Sequence, residues 1–510
     1  MDREGPIGPI FVVEFQSVEV SIVRALRFVA SLGTWAGLAG AAFAGNWTDI
    51  QDAQLRSDIE LLASAGLIDN IAMHWPLPWQ GLKDSLETAG GLGTQPGYIQ
   101  NVADRVLQQS ASATQRDHLR TELFWDATGS PAVVRGYGAL GRATLQSQVS
   151  MEYMWRDTTV HLSLGAQSVN KFDHQVFVPD GSYIAQRLGD TYIYAGYLQH
   201  WWGPGWISAL PLSTNARPIP QIGISRVSTE AFESPWLSWL GPWHFEFFVG
   251  VLDGPRVAHN TIYDGLRFAF NPLPGLEIGV SRTDMMCGSG HPCKPIAGYF
   301  DPRNDPSHTD IVNDEGSIDI RYTGAFKGLN YSVYTQLLNE DTNPFVHSGT
   351  AHLYGASVWH GFDDVIGRLT VEYADSTASM NMFGGSAWHG AVYNNYSYID
   401  GMRYRGRTLG FSLDSDSRLM TVQASLTDAA QRSFTLTYSR VRISDPLNSS
   451  GNVVTTSPVS YNLGQARFSL PLRFTGQNVR LDLEGRFQDD QPRPNRGSMA
   501  TAEAALRIGL

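Results

Sequence analysis

The sequence predicts a mainly β protein: a large transmembrane antiparallel up-and-down β-barrel, preceded by a small N-terminal periplasmic helical bundle. Three observations lead there. An export signal stands near the N-terminus, a period-2 alternation of apolar residues runs from about residue 131 to the last residue, and charged residues make up only 17% of the chain. An ordinary soluble domain carries roughly 25%. The mean hydropathy of −0.19 excludes a bundle of transmembrane helices, which needs repeated apolar runs of about 20 residues. A barrel hides its apolar surface by alternation, so a slightly polar average is what it shows.

The export signal comes first. The only long apolar run covers residues 28–44; Arg24 and Arg27 precede it, and Ala42-Phe43-Ala44 closes it. Basic flank, short apolar stretch and small-residue exit are the parts of a cleaved secretory signal peptide. Gly33, Gly37 and Gly40 argue against a buried helix or an anchor in the same stretch. Residues 1–44 are therefore expected to be removed and the mature chain to begin at Gly45. Asp2, Glu4, Glu14 and Glu19 are acidic where such a leader should be basic. This predicts an over-extended start, with translation beginning near Val18 or Val20.

Residues 45–130 read as the helical bundle. Thr48 or Asp49 can cap a first helix whose apolar positions Leu55, Ile59, Leu62 and Ala63 keep a 3.6-residue period, with Gly66 at its end. Pro76 and Pro78 interrupt the pattern. Leu82 and Leu86 then predict a second helix, and Ile99, Val102, Val106 and Leu107 a third.

From about Pro131 the period changes to 2. Val160, Leu162, Leu164 and Ala166 alternate with polar or small neighbours. So do Phe245, Phe247, Val249 and Val251; Phe468, Leu470, Leu472 and Phe474; and Val479, Leu481 and Leu483. Gly, Asn, Asp and Pro clusters separate these runs, the pattern of strands joined by turns. At roughly 20 residues per strand with its connection, residues 131–510 hold about 16 to 20 strands, an allowed size for a bacterial barrel. A propeller or solenoid would show a fixed repeat, which this sequence lacks. The apolar alternation that ends at Leu510 reads as the closing strand.

The formal net charge of −12 excludes a nucleic-acid partner, which requires an excess of Lys and Arg on one face. The two cysteines, Cys287 and Cys293, lie six positions apart in a Gly/Pro-rich stretch and are read as one disulfide of an oxidising compartment. With His291 they offer three soft groups but no fourth ligand at zinc spacing. Asp301, Asp305, Asp310 and Asp314 lack the order of an EF-hand loop. No metal and no cofactor is expected. Motifs of the G-x-S-x-G, H-E-x-x-H and Walker kinds are absent from the sequence, and no catalytic residue is assigned.

Several segments are similar to the Wzi-type capsule assembly proteins, a family of outer-membrane lectins. The most specific is Gln199-His200-Trp201-Trp202-Gly203-Pro204-Gly205-Trp206, followed by Ala216-Arg217-Pro218 and by Trp236-Leu237-Ser238-Trp239-Leu240-Gly241-Pro242-Trp243. Leu55-Arg56-Ser57-Asp58-Ile59, Trp75-Pro76-Leu77 and Asn395-Tyr396-Ser397-Tyr398 add support. The resemblance implies an 18-stranded barrel with a periplasmic helical bundle. It also implies a non-enzymatic role: holding capsular polysaccharide or exopolysaccharide at the surface of the bacterial outer membrane.

Candidate polysaccharide-binding residues follow from chemistry. Trp201, Trp202 and Trp206 offer flat apolar faces to pyranose rings, on a loop stiffened by Gly203-Pro204-Gly205. The alternative is that these tryptophans fill the barrel mouth or join an interfacial girdle, a reading that applies with more force to Trp236, Trp239 and Trp243. Arg217 and Arg226 suit acidic sugars, or pair with lumenal carboxylates. Tyr393, Asn395, Tyr396 and Tyr398, with Trp388 nearby, mix aromatic and amide groups in an external loop. The expected partners are polysaccharide and outer-membrane lipid, with the oligomeric state left open. Two other functions stay in view: a porin-like channel for sugars or anions, and an outer-membrane hydrolase whose Ser, His and Asp come from separate strands.

Overall fold

The computed structural model describes residues 46–510 except 70, 171–172, 292, 294–311, 341–348, 363, 383, 445–451, 456, 475–476 and 493–496. The expected signal peptide therefore lies outside the described residues. The remaining chain closes into a ring of 18 antiparallel strands. The first, Leu119–Thr128, pairs with the last, Met499–Gly509, so that Glu122 lies opposite Gly509 and Thr128 opposite Glu503. This closure leaves no free edge, the condition for a sheet in lipid. Two short segments, Phe177–Val178 and Gly384–Trp388, pair onto the ring as flaps.

Alternation decides which way each strand faces. Along Leu145–Trp155, Val149, Met151, Tyr153 and Trp155 are exposed on the outside, while Gln146, Ser150 and Glu152 are buried within. Leu162, Leu164, Val249, Phe468, Leu472 and Leu483 join the outer apolar belt, as the period-2 pattern predicts. The expected barrel start at residue 131 is too late. Leu119–Thr128 is already wall, and its inward face carries Arg120, Glu122 and Asp126, so its alternation reads as a merely polar stretch.

Three helices precede the ring: α1 (Ala53–Ser64), α2 (Trp79–Thr88) and α3 (Gly97–Ala113). The cap of α1 is Asp52, not Thr48 or Asp49: its carboxylate accepts from the amides of Gln54 and Leu55, both at 3.1 Å. Gly66, at φ +71°, ends the helix in the left-handed conformation glycine adopts without strain. All three helices sit at the end of the barrel where tight turns such as Arg156-Asp157, Gly189-Asp190 and Lys327-Gly328 join consecutive strands. Ser64 reaches Asn330 at 3.2 Å, and Gln54 accepts from Thr427 at 2.7 Å. In outer-membrane barrels the short turns mark the periplasmic end.

The helices are not a free-standing bundle. Their apolar faces form one cluster with Trp75, Tyr137, Trp201 and Trp359, so the helical core runs on into the lumen. From the opposite, long-loop end the connections at 129–144, 197–220 and 389–417 fold back inward. The two groups meet in mid-lumen, where His74–Trp75 and Trp201–Trp202 form a small antiparallel ladder.

A plugged lumen and an exposed outer rim as the candidate functional site

The lumen is filled by a plug whose centre is the loop at residues 201–206. Trp201 and Trp202 are fully buried and Trp206 is 5% exposed. The Trp201 indole donates to the Gly205 carbonyl at 3.0 Å, and Trp202 to Glu246 at 3.4 Å. The amide of Gly203 donates to Met73 at 2.7 Å. The Arg56 guanidinium of α1 donates to the carbonyls of Pro204 and Gly205 at 2.8 and 3.0 Å. Gly203, at φ +131°, lies so close to Gln336 that a Cβ would fall 2.2 Å from its side chain. The φ is one that residues with a side chain rarely adopt, and a Cβ would also displace the Gln336 amide from the loop.

Charge fixes this plug to one side of the wall. Glu60 of α1 accepts from Arg56 at 2.9 Å and from the Trp206 indole at 3.1 Å, with Arg321 and Arg368 of the wall at 3.4 and 3.5 Å. Burial raises the Glu60 carboxyl, but the guanidiniums of Arg56, Arg368 and Arg321 outweigh it and hold it below the usual carboxylate range. Glu372 accepts from the amides of Trp206 and Ile207 at 2.7 and 3.2 Å. Glu277 accepts from the Met73 amide and from Arg321, both at 2.9 Å. Arg267 pairs with Asp319 at 2.7 Å and donates to the Met73 carbonyl. Each buried charge here has a partner, the condition under which charges persist in low dielectric.

The candidate residues divide by this geometry. Guanidiniums of Arg368 and Arg56 lie 3.2 and 4.6 Å from the Trp206 ring, so that ring is already occupied. Buried in the plug, Trp201, Trp202 and Trp206 cannot stack on a polymer outside the cell; they lock loop to helix, and the barrel-filling alternative describes them. Arg217 is buried too. It pairs with Asp173 at 2.9 Å and Asp180 at 2.7 Å; burial pulls its pKa down, but these two carboxylates hold it above the ordinary value. Arg226 lies at the short-turn end, bonded to Asp190 at 2.9 Å and stacked over Trp243 at 3.8 Å. Neither arginine is placed to take an acidic sugar at the outer rim.

The 389–417 loop splits the remaining set. Tyr393 is buried, donating to the Leu210 carbonyl at 2.6 Å and accepting from the Phe411 amide at 3.0 Å. Tyr398 is buried against His291, ring centroids 4.3 Å apart, and donates to the Cys287 carbonyl at 3.0 Å. Cys287 and Cys293 form a disulfide. Asn395 donates to Asn313 at 2.8 Å and accepts from the amides of Ser397 and Tyr398 at 2.8 and 3.0 Å. It therefore shapes the turn rather than facing outward. What this scaffold lifts into solvent is Tyr396, 88% exposed, and Ile399, 69%. Trp388 is 41% exposed and packs over Gly349, where a Cβ would lie 2.8 Å from its ring. Beside it His389 meets Asp416 at 3.2 Å.

His291 contacts the carbonyls of Ser289 and Ser397. Among the described residues, no group of three His, Cys, Asp or Glu side chains is placed to hold a metal ion. Asp314 is paired with Arg282 at 3.2 Å; Asp301, Asp305 and Asp310 lie outside the described residues. The sequence reading missed Glu60, Arg321 and Arg368. The available signal was Arg56 and Glu60, four apart on a helix otherwise apolar on that side.

Residues 125–487 match the family of capsule assembly protein Wzi. The chain belongs to the Wzi capsule assembly family. A Klebsiella pneumoniae protein described as an uncharacterized 55.8 kDa protein in the cps region is 26% identical over 369 residues, 71% of each chain. The structure of Escherichia coli Wzi aligns with a TM-score of 0.77 at 22% identity, covering 90% of this chain and 98% of that one. That protein is described as an outer membrane protein involved in group 1 capsule assembly and as a carbohydrate-binding β-barrel. At this identity the likeness establishes the fold: an 18-stranded barrel of Wzi type.

Proposed function

We propose that this Wzi-family barrel sits in the bacterial outer membrane and holds capsular polysaccharide or exopolysaccharide at the cell surface without catalysing a reaction on it. The observation that carries the reading is the pairing of a filled lumen with Trp388 and Tyr396 raised, exposed, at the long-loop end. Aromatic faces of this kind pack against the C–H face of a pyranose. A lumen occupied by α1 and three inward loops suits a tether better than a channel. Family membership and the description of Escherichia coli Wzi as carbohydrate binding support the ligand class. The outer apolar belt supports a lipid partner, with the helices on the periplasmic side.

The test is a deletion strain assayed for cell-bound against released polysaccharide, together with retention of that polymer by the purified, detergent-solubilised barrel. Loss of cell-bound polymer and direct retention are expected. Unchanged cell-bound polymer with no retention overturns the reading.

A further inference from the structure

The plug is pinned most densely around Glu60, where three wall and helix guanidiniums converge. Opposite the Glu60 cluster, the wall built from Arg418–Asp428, Ser433–Ile443, Val459–Phe474 and Gln477–Gln488 meets the plug at separate points, Thr427 on Gln54, Arg467 on the Gly138 carbonyl and Arg480 on Asp52, and leaves gaps beside them. Two connected spaces lie between them. The upper one, at the long-loop end, has a volume of about 350 Å³, within the roughly 300–1,000 Å³ of small-molecule sites. The lower one, about 120 Å³, shares Ala132, Val134 and Arg486 in its lining. Hydroxyls and amides such as Gln423, Ser425, Thr435, Thr437 and Gln465 face it.

The upper chamber has the make-up of a carbohydrate site. Its rim residues Pro131, Gln491, Pro492, Met499 and Thr501 are partly exposed, while Val134, Tyr461, Leu463 and Arg486 form a buried floor. It therefore opens toward the outer face. Gln488, Gln491 and Thr501 supply donors and acceptors beside the apolar Pro131, Val133 and Met499. The Tyr461 hydroxyl, on a side chain only 2% exposed, has no hydrogen-bond partner among the described residues. A buried hydroxyl left unpaired is costly, and a ligand hydroxyl entering the chamber satisfies it. The charge is already balanced. Arg486 donates to Glu484 at 2.8 Å, to Thr128 at 3.0 Å and to the Ser130 carbonyl at 2.7 Å, and it also pairs with Glu503. With two carboxylates on one guanidinium, no positive charge is left over for a uronic acid.

We infer that this chamber is a saccharide pocket that takes the terminus or a short neutral segment of the polysaccharide, separate from the Trp388 and Tyr396 face. The inference rests on the carbohydrate-binding reading above. A polymer gripped by a pocket as well as by a surface is held at two points, which raises avidity without new contacts at either.

The experiment uses the full barrel in detergent and the producing cell's own surface polysaccharide. The polymer is cleaved to di- to tetrasaccharides and separated into neutral and uronic-acid fractions, and binding is read by calorimetry. Tyr461→Phe removes one hydroxyl without changing shape and should weaken the neutral fraction about 5-fold. Thr501→Trp fills the chamber and should abolish binding of that fraction. Lys83→Ala, on α2 at the opposite end of the barrel, should leave it unchanged. Neutral fragments bound by wild type with affinity untouched by Tyr461→Phe and Thr501→Trp overturn the pocket. Retention of intact polymer without binding of neutral fragments overturns the pocket alone. Binding of neither polymer nor fragments overturns both this inference and the tethering reading.

Discussion

Glu60→Gln should unseat the plug while leaving the barrel wall intact. The carboxylate lies among three guanidiniums at 2.9, 3.4 and 3.5 Å and accepts the Trp206 indole at 3.1 Å. Gln keeps the shape and one acceptor but turns an amide toward the guanidiniums and removes the negative charge that balances them. Breaking a buried pair by changing one partner costs about 3–5 kcal/mol. The lower end applies here, because each arginine keeps other partners: Arg321 keeps Glu277, Arg368 keeps Ser357, and Arg56 keeps two carbonyls. A loss of about 3 kcal/mol shifts the docked-to-undocked ratio of the plug by about a hundredfold.

Limited proteolysis of residues 46–113 and single-channel conductance in a planar bilayer read this directly. Wild type is expected closed and resistant, and the variant cleaved faster and flickering open. The β-sheet circular dichroism should be unchanged, since Glu60 takes no part in the strand ladders. Because the Glu60 carboxyl is held below its ordinary value, its contribution is present above the unfolded value of 4.5 and is lost as pH falls through the folded value. Wild-type docking should therefore weaken below about pH 4.5, and the variant should not show that step. A variant with wild-type resistance, conductance and pH profile would refute the claim that this cluster seats the plug.

Further outcomes follow from other residues. His74 is buried and stacked on His244 with centroids 3.6 Å apart; burial first, then the charges of His244, Arg267 and His200, push its pKa well below 6.5. The unfolded chain takes up a proton below about pH 6.5 that the fold refuses. Stability should be full above that pH and fall by up to about 1.4 kcal/mol per unit below it, and His74→Gln should make the fall of the thermal midpoint between about pH 5 and 6.5 shallower. Trp388→Ala with Tyr396→Ala should weaken polymer retention by about 5-fold per ring, with unfolding temperature unchanged. Trp206→Phe should do the reverse: it should lower thermal stability by about 1–3 kcal/mol through the lost Glu60 bond and leave affinity for short saccharides as it was.

How much of this was legible depended on which force sets each feature. The wall was readable because lipid imposes one rule on every strand, apolar outward, and Leu162, Leu164, Phe468 and Leu483 obey it without reference to anything distant. The end of α1 at Gly66 was readable for the same local reason, whereas its start was set too early, because Asp52 and not Thr48 or Asp49 caps it. The first strand was hidden because its inward Arg120, Glu122 and Asp126 answer to partners such as Glu152 and Glu503, far along the chain. The tryptophan-rich loop misled for the opposite reason. A flat indole looks the same whether it awaits a sugar or an arginine, and only the folding of α1 against Pro204 and Gly205 decides between them. Of the candidates named from chemistry, Trp388 and Tyr396 reach solvent at the outer end. The turn that Asn395 makes separates Tyr396 from the buried Tyr398, and Trp388 stands on the flap that precedes this loop.

The wall also explains why the plug is built as it is. A ring of 18 strands leaves an aqueous lumen unless something occupies it, and the inward face of this one is polar and charged. An apolar plug set against such a wall would strip Arg368 of Glu60 and would leave Arg267 and Arg321 with only their wall carboxylates, Asp319 and Glu277. The plug instead places Glu60 and backbone carbonyls against the wall, and keeps its large apolar groups, Trp75, Tyr137 and Trp201, mainly for contacts within itself. Along residues 418–488 the wall sets Ser, Thr and Gln beside Arg467, Arg480 and Arg486, whose charges are met mainly by the wall's own Asp482, Glu484 and Glu503, so fewer contacts reach the plug and space remains between them. The chamber beside Tyr461 is thus the counterpart of the Glu60 cluster: on one side of the lumen the wall's arginines are met by the plug, and on the other they are met within the wall, which leaves a polar space of the kind a sugar can fill.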